Sequence, residues 1–131
     1  MKSGRTFFTK TLFVLVLLSG LAISQHVYAA TYYVDSSITD THVGSATPDC
    51  TNYDPVAFTC SGGSASAYKT IADINAGSFT SDDQILFRKG QTWRETLIVP
   101  SSGTSGHPIT FGAFGSGALP RLGRASCRER V

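Results

Sequence analysis

Residues 84–111, QILFRKGQTWRETLIVPSSGTSGHPITF, decide how the fold is read. Three short apolar runs stand out in it: Gln84-Ile85-Leu86-Phe87, Thr96-Leu97-Ile98-Val99 and Pro108-Ile109-Thr110-Phe111. Their first apolar residues, Ile85, Leu97 and Ile109, are 12 positions apart each time. The turn-rich segments Arg88–Gln91 and Pro100–His107 separate them. Such runs predict three short strands. Alternation then places Ile85, Leu97 and Ile109 on one strand face with Phe87, Val99 and Phe111, as a stacked core. Two equal steps, and 24 residues from the first run to the third, fit a parallel solenoid in which each turn lies on the last. A β-sandwich also uses short strands at 8–12-residue spacing, so spacing alone leaves both architectures open. Downstream, GHPITFGAFGSG (Gly106–Gly117) sets the third run between glycines. Gly106, Gly112 and Gly115 read as corners, because glycine tolerates backbone angles that other residues resist.

Upstream, Thr31-Tyr32-Tyr33-Val34-Asp35 is a strand of aromatic and β-branched residues ending in a turn former. A long loop from Ser36 to about Ala67 follows, rich in Ser, Thr, Gly, Asp and Pro. Loops of that length are functional or pinned. Cys50 and Cys60, ten positions apart within it, predict a disulfide that pins it. A metal pair is the rival reading, but no histidine or further cysteine sits at ligand spacing. Tyr68, Ile71 and Ile74 recur at three-residue spacing before Gly77, which predicts a short amphipathic helix over Tyr68–Ala76.

The two ends read differently from the middle. Lys2, Arg5 and Lys10 precede the uncharged run Thr11–Ile23, too short to span a bilayer comfortably. Val27-Tyr28-Ala29 follows, with small residues where a signal peptidase reads, so 1–29 is expected to be a secretory leader of bacterial type rather than an uncleaved anchor. No cysteine follows the run to take a lipid. Export implies a secreted, periplasmic or cell-surface location, with no membrane association after cleavage. Residues 123–131, GRASCRERV, break the preceding pattern and resemble the translation of a sequencing adapter. Cys127 is therefore set aside as a disulfide partner. The net charge of +2 comes from those two ends, since Ala30–Leu122 holds 5 bases against 8 acids, a balance of −3. No basic stripe of the kind that nucleic acid requires is present.

Taken in order, Thr31–Asp35, Tyr68-Lys69-Thr70-Ile71, Asp82–Gly90 and Gly103–Gly115 resemble the start of secreted right-handed parallel β-helix proteins, the pectate-lyase-like superfamily. The likeness covers about 90 residues. It implies an all-β fold in which 30–122 form an N-terminal cap with one short helix and the first one to two coils. It also implies that the Tyr68–Ala76 helix covers the open first coil, which would otherwise present strand edges. Many relatives carry Pro-Gly-Asp where this chain has Ser81-Asp82-Asp83. The resemblance implies carbohydrate as partner and polysaccharide lyase or glycoside hydrolase chemistry. The superfamily also includes non-catalytic surface β-helices, and a small secreted sandwich module stays open beside them.

A lyase needs a Lys or Arg base beside a neutralised carboxylate, and a hydrolase needs two facing carboxylates. Lys69, Arg88, Lys89, Arg94, Glu95, His107 and the Asp82-Asp83 pair are the groups available. Arg88-Lys89 reads as a solvated turn and Arg94-Glu95 as a strand edge or local ion pair. Asp82-Asp83 reads as a turn, since calcium requires six or more oxygens. Trp93 and Arg94 are the candidates for contacting sugar, although a lone aromatic is more often packing. By resemblance the catalytic residues lie on middle coils, so none is assigned here. No cofactor is evident, and any calcium site would belong to those later coils.

Overall fold

The computed structural model describes residues 29–123. Nearly all of the expected leader and of the 123–131 tail lie outside the described residues. The described residues are mostly β, with seven strands and one helix among them: β1 (Thr31–Val34), β2 (Cys50–Tyr53), β3 (Ala65–Tyr68), α1 (Ile71–Ala76), β4 (Gln84–Arg88), β5 (Thr92–Trp93), β6 (Thr110–Phe114) and β7 (Arg121–Leu122). A five-stranded sheet runs in the order β2-β3-β1-β4-β6, and β5 pairs with β7 in a second, two-stranded sheet. Every pair is parallel except β2–β3. An antiparallel sandwich would pair its strands the other way.

Register explains the packing. Tyr32, Ile85 and Phe111 are successive Cα partners across β1, β4 and β6, as are Val34, Phe87 and Ala113. Alternation sends both columns to one side of the sheet, against Ile71, Ile74 and Phe79. Tyr33 and Phe114 point to the other side, where they meet Tyr53 beneath the disulfide loop. Both faces of the central strands are thus covered, which is how parallel sheets survive in water. Cover thins in one direction. Ile85 is sealed and Phe111 only half-buried; in the second sheet Trp93 is sealed while its partner Leu122 is 40 % exposed.

Several expectations change. Thr96–Val99 is not a strand: among the described residues no strand pairs with it, and the Asn75 side chain holds its backbone instead. Asn75 Nδ2 donates to the Thr96 carbonyl (2.9 Å) and the Ile98 N–H donates to Asn75 Oδ1 (2.8 Å). Leu97 and Ile109 pack against the core as expected, but Ile98 and Val99 are 65 % and 57 % exposed. The partner of Ile85 is Phe111, not Ile109, because β6 starts at Thr110. Gly106 and Gly115 are corners with φ of 81° and 77°, whereas Gly112 lies inside β6 opposite Leu86. The helix starts at Ile71, since Tyr68 belongs to β3. Its N-cap is Thr70, in a capping box with Asp73. β2, β3, β5 and β7 were not foreseen. The Cys50–Cys60 disulfide is present, with Cα atoms 5.8 Å apart.

Candidate functional site

The densest polar cluster surrounds Asp35, at the end of β1 and fully buried. Its Oδ1 accepts from the Ser37 hydroxyl (2.6 Å), the Ser37 N–H (2.9 Å) and Gln91 Nε2 (2.7 Å). Its Oδ2 accepts from the Tyr53 hydroxyl (2.6 Å) and Arg88 Nη1 (2.9 Å). Arg88 in turn lies 3.8 Å over the Phe58 ring. Burial alone would push the Asp35 carboxyl up. The bonds from Ser37, Tyr53 and Gln91 outweigh it and hold the group below the usual carboxylate range. Burial, then the bond to Asp35, pushes the Tyr53 phenol far above its ordinary value. A carboxylate with five donors has no lone pair left for a substrate proton, and such a phenol gives none up at neutral pH. The cluster is a rivet between the disulfide loop and the first strands. Arg88 is neither a base nor a free turn charge here.

The other sequence candidates scatter. Trp93 is buried, its ring edge-on to Phe87 and its Nε1 donating to the Lys69 carbonyl (2.9 Å), so no ring face is open to a sugar. Glu95 does not pair with Arg94; its Oε2 accepts the Ala72 N–H at the start of α1 (2.8 Å). The two aspartates separate. Asp83 is buried and accepts from Thr80, while Asp82 is exposed at φ 71° and meets His107 Nδ1 at 2.8 Å. Glycine occupies that left-handed angle at less cost than an aspartate does, so the turn at Asp82 carries backbone strain. Lys69 and Lys89 form no ion pair among the described residues. Nor does any group of three or more His, Cys, Asp or Glu among them suit a metal ion.

One surface does gather unpaired chemistry. A cleft of about 280 Å³ opens where the corner after β4 lies beside the corner before β7, lined by Gly90, Gln91, Thr92, Ala118, Leu119 and Arg121. Arg121 is the register partner of Thr92, and Trp93 beside it points inward, so Thr92 and Arg121 face out. The ladder continues through the Gly123 N–H to the Trp93 carbonyl (3.1 Å), and alternation returns exposed Arg94 to the same outer side. Among the described residues neither arginine has an acidic partner. Arg121, the Thr92 hydroxyl and exposed Leu119 line the cleft, with Arg94 on the same outer side but outside the lining, an arrangement that suits a polar or anionic group. Arg94 was among the expected contacts. Arg121 was missed, because nothing in Pro120-Arg121-Leu122 marks a strand. No protein-family model matches the chain, and no curated protein matches it.

Proposed function

We propose that this chain is the N-terminal part of a secreted right-handed parallel β-helix protein that binds or acts on polysaccharide, with catalytic coils further along. The observation that carries this reading is the pairing of rungs in step. β4 and β6 pair in parallel 26 residues apart (Gln84 with Thr110), and β5 and β7 follow 29 apart (Thr92 with Arg121). Two successive strand–corner–strand units therefore lie one on the other, which supports the solenoid reading. α1 and the disulfide loop, packed against opposite faces of the first strands, act as its cap.

On this reading the Arg94/Arg121 face is the glycan contact. Affinity electrophoresis of the full chain through gels containing neutral or acidic polysaccharides tests it. Retardation by an acidic polymer is expected, weakened about tenfold by Arg121→Ala, roughly the loss of one charge-assisted hydrogen bond. Migration unchanged in every gel would overturn the reading.

A further inference from the structure

We propose that the α-ammonium of Ala30, freed by cleavage of the Ala29–Ala30 bond, is the counter-ion of the buried Asp83 carboxylate. Asp83 is 2 % exposed. Its carboxylate accepts the Thr80 N–H and hydroxyl at 2.7 and 3.2 Å, and the Ala30 N–H at 2.8 Å. No lysine, arginine or histidine among the described residues reaches it. An ionised carboxylate held out of water without a cation is costly. The other two buried aspartates are compensated: Asp35 has Arg88, and Asp73 accepts from the N–H groups of Gly44, Ser45 and Thr70 and from the Thr70 hydroxyl. Asp83 has only Thr80, three residues before it, and the nitrogen of residue 30.

That nitrogen is the one the sequence marks for liberation. Val27-Tyr28-Ala29 ends the expected leader, and Ala29 is exposed. A leader peptidase supplies the water. Its hydroxyl joins the Ala29 carbonyl carbon, the C–N bond breaks, and the water's other hydrogen goes to the Ala30 nitrogen, which leaves as an amine; the proton lost by the new Ala29 carboxyl group then balances the one that turns this amine into an ammonium. The hydrogen bond already in place then becomes a charged pair. The location magnifies the effect. The Ala30 carbonyl accepts from Gln84 N–H (2.9 Å) and the Asp83 carbonyl from Thr110 N–H (2.9 Å), so the pair ties together the starts of β1, β4 and β6. Removal of the leader thereby completes the fold it preceded. The inference rests on export through a cleaved leader and not on the glycan reading.

The test expresses the full 131-residue chain in an exporting bacterial host. Intact mass and N-terminal sequencing should find Ala30 first; a product starting at any other residue overturns the proposal. A version secreted with two extra residues ahead of Ala30 should melt about 4–8 °C lower, and equal melting temperatures overturn it. In an Asp83→Asn background the same extension should change nothing. Should that variant not fold, amine-reactive labelling of the unmutated protein decides: the Ala30 amine should react at least tenfold more slowly in the folded than in the urea-unfolded protein. Equal reactivity overturns the proposal.

Discussion

At the scale of single residues, Asp35 dominates. Asp35→Ala strands the Tyr53 hydroxyl, Arg88 and Gln91 at once. Breaking a buried pair by removing one partner costs about 3 kcal/mol or more, which urea unfolding would register as a lower midpoint. Tyr53→Phe removes one bond to a charged group and should cost about 1.5–3 kcal/mol. Acid should act through the same residue. Its folded pKa lies below the unfolded value near about 4. The stabilisation is therefore complete above that value and is lost as pH falls through the folded pKa. Asp49, where bonds from Thr41, Lys69 and His42 outweigh burial, adds to the same fall. Melting temperature measured from pH 7 to pH 2 should stay flat and then drop below about pH 4; a drop beginning near neutrality would contradict this. None of the cluster was legible in the sequence beyond Asp35 as a strand-ending residue. Its partners Tyr53, Arg88 and Gln91 come from 18, 53 and 56 positions away, and only the fold brings them together.

At the scale of elements, alternation located β1 and β4 well, because each buries an alternating apolar face in the core. β6 was placed two residues early, since Pro108 lacks the N–H a ladder needs. The failure at Thr96–Val99 has a different cause. Its composition suits a strand, but a strand requires a hydrogen-bonded neighbour, and among the described residues its backbone bonds to the Asn75 amide instead. Asn75→Ala should release this segment at a cost of about 1 kcal/mol, with faster hydrogen exchange at Ile98. β2 and β3 were invisible because Cys50-Thr51-Asn52-Tyr53 and Ala65-Ser66-Ala67-Tyr68 lack apolar runs. They form because the disulfide and Tyr53 hold them against β1. Gly63 shows how tight that corner is. A Cβ there would sit 2.0 Å from the Tyr53 carbonyl oxygen, while at Gly112 it would meet only the movable end of Leu86, at 2.9 Å. Gly63→Ala should therefore lower stability by about 2 kcal/mol or more and Gly112→Ala by under about 1, a contrast that thermal melts of the pair would show.

At the scale of the molecule, the disulfide loop and α1 lie on opposite faces of one sheet, and the loop depends on its crosslink. Reduction, or Cys50→Ser with Cys60→Ser, should cost about 2.5–3 kcal/mol on the chain-entropy account, visible as a lower melting temperature in reducing buffer. Cover thins from Ile85 to Phe111 and from Trp93 to Leu122, so among the described residues the β6/β7 side is held by fewer buried side chains than the β1 side. Pulled from its two termini, the described residues should unzip from the thinly covered side. The β6/β7 layer should detach at the lowest force, the β4/β5 layer next, and the crosslinked end last, so that layers leave in the reverse of the order in which they were synthesised.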